Sequence, residues 1–168
     1  DGARLASALT SPANDVAPED LPKLCDAFYI GGTKNGALFG EALVIVNDAL
    51  KPDFRYGLKQ HGGMLAKGRL LGVQFATLFT DDLWFTAARH ANTLAARLQA
   101  GIIAKGYRLL VESPTNQIFP IFPSELVEKL AADFAFEVQS EENGMACIRL
   151  VTSWATKDSA VDTFLAAI

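Results

Sequence analysis

Apolar residues change rhythm twice along this chain, and each rhythm predicts a different kind of element. Residues 27–30 and 41–46 are short, nearly continuous apolar runs. Runs of that length without alternation suit strands covered on both faces. A glycine-rich turn, Gly31-Gly32-Thr33-Lys34-Asn35-Gly36, joins them. Upstream, residues 11–22 carry three prolines and read as a loop, with a helical turn over Leu21–Leu24. Residues 54–79 read as helical, weakened in the middle by Gly62-Gly63.

The second rhythm is that of a long helix. Thr80-Asp81-Asp82 is a start signal, with acids in the first turn. Leu83, Ala87, Ala91, Leu94, Leu98 and Ile102 then recur at spacings of three and four, one apolar face. Lys105-Gly106 closes the helix. The third rhythm begins after Gly106. Residues 107–111, 118–122 and 146–151 predict short strands, and 124–134 and 156–167 predict helices with Ser124 and Thr156 as N-caps. Asn143-Gly144 marks a hairpin-type turn. The chain therefore divides into a first lobe over residues 1–79 and a small α+β lobe over 80–168 that includes the linking helix. No internal repeat is visible.

At 168 residues, half of them apolar, the chain can bury a core as one domain or two small lobes. A net charge of −4, with no cluster of Lys and Arg, argues against a nucleic-acid surface. The longest apolar run, residues 70–79, contains Gln74 and Thr77 and is too short to cross a bilayer. Cys25 and Cys147 fit no metal or redox spacing and read as buried thiols of a cytoplasmic protein. The chain opens at Asp1, not Met, in what reads as the middle of a structured region, which suggests a fragment.

Lys34 carries the most chemical information. Glycines on either side let a flat ligand approach the backbone where a Cβ would clash. A lysine delivered at the end of a strand is placed to condense with an aldehyde. A tight turn with a solvated lysine has the same spacing. Two more charged groups stand with it. Asp1-Gly2-Ala3-Arg4 puts an acid at a probable strand end, where open α/β sheets bind ligands. Arg149 lies between apolar neighbours in Cys147-Ile148-Arg149-Leu150-Val151 and needs an anionic partner. That partner is a ligand carboxylate or a structural one such as Glu137.

Asp-Gly-Ala-Arg-Leu, then Gly-Gly-Thr-Lys-x-Gly-Ala, then Arg-Leu-Val-Thr near the end, in that order, resembles the threonine aldolase and β-eliminating lyase family. The resemblance spans nearly the whole chain and corresponds to the C-terminal half of such an enzyme. It implies an α/β fold of the aspartate-aminotransferase type: the second part of a large, mostly parallel domain that binds pyridoxal 5'-phosphate, then a small C-terminal domain. It also implies roles. Lys34 would tether the cofactor aldehyde, and Asp1 would pair with the pyridine nitrogen. Arg4 would lie near the cofactor's phenolic oxygen and the substrate carboxylate, and Arg149 would clamp that carboxylate. The implied reaction is cleavage of L-threonine or L-allo-threonine to glycine and acetaldehyde, by a homodimer or homotetramer acting on small amino acids. β-Elimination or transamination on the same fold, and a non-catalytic α/β binding domain, are the alternatives.

The chain departs from the family pattern in two places. Where the family often has Gly-Gly-Gly-Met-Arg-Gln, this chain has His61-Gly62-Gly63-Met64-Leu65-Ala66-Lys67. Leu65 replaces the phosphate-binding arginine, which leaves Lys67 as the candidate substitute. Ser153-Trp154 follows Arg-Leu-Val-Thr where the family often has histidine, and Trp154 reads as a packing residue. His90 reads as lying on the polar face of the long helix, and His61 as structural. No metal site is expected.

Overall fold

The computed structural model describes residues 1–168 as a mixed α/β chain. It divides into two compact units, residues 1–9 with 14–87 and residues 10–13 with 88–168.

The first unit contains helices α1 (Leu5–Leu9) and α2 (Leu21–Leu24), strands β1 (Ala27–Gly31) and β2 (Glu41–Ile45), and helices α3 (Phe54–Gln60) and α4 (Arg69–Leu78). The two strands form where the apolar runs place them, but they pair antiparallel, from Ala27 opposite Ile45 to Gly31 opposite Glu41. The sheet has these two strands only. The expected cover on both faces is absent within this chain. Leu43 is half exposed, and the positions of β2 are intermediate or open.

The stretch expected as one helix over 54–79 is broken. Gly62 adopts φ +76°, and the Gly63 N–H donates to the Leu58 carbonyl at 2.8 Å, which ends α3 as a glycine C-cap does. Residues 61–68 are turns and irregular backbone. Helix α4 then buries Phe75 and Leu78. Its Gln74 accepts from the Leu38 N–H at 2.7 Å and donates to the Phe39 carbonyl at 3.3 Å, which fixes the loop before β2.

Helix α5 (Leu83–Ala104) starts after Asp81 and Asp82, both at positive φ, and Gly106 at φ +85° follows its end, close to both predicted limits. The division between units falls inside it, after Ala87. Its buried stripe is Trp84, Ala88, Ala91, Ala95, Leu98 and Ile102, with Leu94 beside it. The first two positions differ from the predicted Leu83 and Ala87 by one residue. The large Trp84 side chain takes the interior place, against Phe79 and Phe85 at ring centroid separations of 5.8 and 4.9 Å. Leu83 stays 44% exposed.

The second unit holds β3 (Arg108–Leu109), β4 (Gln117–Ile118), β5 (Pro120–Pro123), α6 (Ser124–Leu130), β6 (Glu137–Glu142), β7 (Met145–Val151) and α7 (Asp158–Ala167). Every strand pairing is antiparallel. Strand β7 is central: β5 and β4 pair with its two ends, and β6 pairs along its length. Ile118, Phe122, Ile148 and Leu150 from the sheet pack with Leu94, Leu98 and Ile102 of α5, Val127 and Leu130 of α6, and Val161 and Phe164 of α7. This is the small α+β architecture the third rhythm predicted.

Details of this unit depart from expectation. Strand β6 went unread because Glu-Val-Gln-Ser-Glu-Glu is exposed throughout and has no apolar face. The predicted strand over 118–122 is split in two at Phe119. Neither Ser124 nor Thr156 caps a helix through its side chain. The N-cap positions are Pro123 and Lys157, and the Thr156 hydroxyl instead accepts from the Ser153 N–H at 2.8 Å. Cys147 is buried as expected, but Cys25 is exposed after the α2 turn. Trp154 is 52% exposed and is not a packing residue within this chain.

Candidate active site

One backbone contact sets the segment that begins at Asp1 beside the end of β1, where the lysine turn starts. The Gly31 N–H donates to the Gly2 carbonyl at 2.9 Å, so residues 1–3 lie alongside the end of β1. The approach is close enough to require glycine on both sides. A Cβ on Gly2 would stand 1.5 Å from the Tyr29 carbonyl oxygen, and one on Gly31 2.6 Å from the carbonyl oxygens of Gly2 and Ala3. A Cβ on Gly32 would meet the Gly40 carbonyl oxygen at 2.8 Å. Gly31 and Gly32 therefore give their space to the protein's own backbone, whereas the sequence suggested room for a ligand.

The turn that carries Lys34 is held by two side chains, Glu41 and Asn35. Residues Thr33–Asn35 form a 3-10 turn ending at Gly36, whose φ is +103°. The Glu41 carboxylate accepts from the Gly32 N–H at 3.0 Å. Asn35 is buried, and its side-chain amide donates to the Trp84 carbonyl at 2.8 Å. Lys34 itself is exposed and forms no ion pair. Neither Glu41 nor Asn35 was read as a site residue. The signal for Glu41 was available: it is the only charge in an otherwise apolar strand.

Asp1 is exposed, and its Oδ1 accepts two hydrogen bonds, from the Ala3 N–H at 2.9 Å and from the Tyr29 hydroxyl at 2.7 Å. Arg4 is half-buried at the entry to α1, where its carbonyl accepts from the Ala8 N–H. Lys67 is exposed in the turn before α4, outside any helix. Asp1, Arg4, Lys34 and Lys67 all belong to the first unit.

Arg149 belongs to the second unit, on β7 directly opposite Glu137 of β6. Its Nη2 donates to Glu137 Oε2 at 2.5 Å, the structural partner the sequence allowed. The guanidinium is not thereby satisfied. Its Nε is buried and has no acceptor, and a cavity of about 290 Å³ lined by Phe136, Glu137, Arg149 and Val151 borders the side chain. A buried N–H without an acceptor costs free energy, so this arginine retains capacity for a further anion. Of the histidines, His61 is exposed after α3, and His90 Nε2 lies 2.8 Å from the Thr156 carbonyl. No group of three or more metal-ligating side chains is present, and no helix is long and apolar enough to cross a membrane.

The fold is one shared with larger enzymes. Superposition on a serine palmitoyltransferase from Sphingomonas wittichii gives a TM-score of 0.57 at 16% identity, over 84% of this chain and 38% of that one. That likeness concerns the fold alone. A threonine aldolase structure from Leishmania major matches far more closely, with a TM-score of 0.96 and 48% identity over 99% of this chain and 49% of that one. Low specificity L-threonine aldolases from Pseudomonas aeruginosa and a Pseudomonas species are 33% and 31% identical to it, over 93% and 100% of this chain. The chain is a relative of the threonine aldolases by sequence and by structure. It spans 45% and 48% of the length of those two curated relatives. No family model matches it.

Proposed function

We propose that the protein to which this chain belongs is a pyridoxal 5'-phosphate-dependent carbon–carbon lyase that cleaves L-threonine or L-allo-threonine to glycine and acetaldehyde. The observation that carries the reading is the backbone junction between residues 1–3 and the end of β1. It places an acid and the lysine turn in one neighbourhood, in a chain whose relatives are named threonine aldolases.

The donor set fits the cofactor. Lys34 supplies an exposed primary amine free of any carboxylate, the group that holds an aldehyde covalently. Asp1 supplies a carboxylate for the pyridine nitrogen, with Oδ2 outside the two bonds that anchor Oδ1. Arg4 and Lys67 are the further cofactor contacts, Lys67 in place of the arginine that Leu65 replaces. The bound cofactor supplies the electron sink that lets a bond to the substrate's α-carbon break.

Arg149 binds the substrate carboxylate. A guanidinium held by Glu137 on one side presents its remaining N–H groups as a directional clamp. Fixing the carboxylate selects which bond at the α-carbon is aligned for cleavage, and so selects the reaction. Assembly as a homodimer or homotetramer is supported by the glycine-rich turn, where Met64 and Leu65 are about two-fifths exposed. Assay of the purified full-length protein with L-threonine decides the reaction. Glycine and acetaldehyde in equal amounts are expected, and release of ammonia with an oxo acid would replace this reading with β-elimination.

A further inference from the structure

Tyr29 is a strand residue to which the proposed chemistry gives no role, yet it makes the one side-chain bond to the Asp1 carboxylate. Its hydroxyl donates to Asp1 Oδ1 at 2.7 Å, across 28 positions of sequence. The Ala3 N–H donates to the same oxygen at 2.9 Å. Two donors converging on one carboxylate oxygen fix both the torsion of the side chain and the direction in which the other oxygen points. The phenol is carried by a paired strand. Tyr29 sits inside β1 opposite Leu43, its carbonyl lies against Gly2, and its ring is half-buried. The anchor thus lies on a paired strand, whereas Asp1 lies in a segment with no secondary structure of its own.

We propose that Tyr29 is a positioning residue: its hydroxyl locks the Asp1 carboxylate so that Oδ2 is left to accept the ring N–H of the cofactor. This inference rests on the reading of Asp1 given above. Tyr29 touches neither cofactor nor substrate in it; it acts through Asp1. Without the phenol, the Ala3 N–H alone restrains the carboxylate, which can then rotate away from the ring nitrogen. An ionised carboxylate gains more from a fixed donor than a neutral acceptor does, so the restraint is an effective one.

The test is a double-mutant cycle in the full-length protein, built from Tyr29→Phe, Asp1→Asn and the pair, read by the dissociation constant for pyridoxal phosphate. Tyr29→Phe removes one oxygen and keeps the ring. It is expected to weaken cofactor binding roughly three- to tenfold, the scale of one typical net hydrogen bond. It is expected to weaken it no further once Asp1 is already Asn. In holoenzyme carrying ¹⁵N in the cofactor ring, Tyr29→Phe should also move the ring-nitrogen resonance towards the unprotonated position. Equal weakening in both backgrounds, or a resonance identical to that of the parent, would overturn the positioning role while leaving the reading of Asp1 intact. Failure of Asp1→Asn to disturb either cofactor measurement would overturn that reading, and this inference with it.

Discussion

At Arg149 one side chain combines an ion pair with a buried donor that has no partner. Nη2 is committed to Glu137, and the buried Nε has no acceptor. Replacing Arg149 by Lys keeps the charge and removes the planar fork. The account predicts that Arg149→Lys in the full-length enzyme raises KM for threonine at least tenfold, in line with about 1.4 kcal/mol per factor of ten in binding. The cofactor's own dissociation constant should stay within twofold. A raised cofactor constant with unchanged KM would move Arg149 out of the substrate site. The cysteines give a second residue-scale contrast. Burial pushes the Cys147 thiol above its ordinary range, whereas Cys25 is exposed. A thiol whose folded value is raised contributes stability that is whole below its unfolded value, near 8.5, and is lost as pH rises through the folded one. Unfolding titrations should therefore show stability falling through the alkaline range, and less steeply in Cys147→Ala.

Among the elements, β1 and the lysine turn show what sequence could and could not supply. The turn's glycines, the strand's limits and the candidate lysine were all legible, because glycine clusters and apolar runs are local signals. The reason for the glycines was not. Gly31 is small because Gly2 and Ala3 press on it from 28 or more positions away, and no local pattern encodes that contact. Gly31→Ala is expected to unseat residues 1–3, with loss of both cofactor affinity and thermal stability, whereas Gly57→Ala, with open space at its Cβ, should be neutral or slightly stabilising. Thermal melts of the two variants in parallel check this, and equal behaviour would contradict the packing role. Strand β6 was illegible for a different cause. Its side chains are all exposed, so its pairing with β7 rests on backbone bonds that leave no hydrophobic period. Helix α5 was legible in existence and limits but not in its first apolar positions, since Leu83 and Trp84 are both apolar and only packing chooses between them.

Taken whole, the chain's α/β character and its small α+β unit followed from the three rhythms of apolar residues, and its relationship to threonine aldolases followed from the order of three short motifs. The antiparallel run of β1 and β2 and the break at Gly62 did not, because strand direction and helix termination within an apolar stretch are set by partners outside it. The exposed apolar residues of the first unit, Leu38 at 86% and Tyr56 at 71% among them, were likewise unforeseen, because apolar runs predict burial without saying what supplies the cover. The central claim is chemical: the Lys34 amine holds the cofactor aldehyde. Its most direct measurement is the visible absorbance of the purified full-length protein after loading with pyridoxal phosphate, compared with Lys34→Ala treated identically. The account predicts a band of the lysine-bound cofactor that borohydride abolishes in the parent, with the label recovered on the peptide containing Lys34, and no such band in the variant. An undiminished band in Lys34→Ala, or a label on any other lysine, would contradict it.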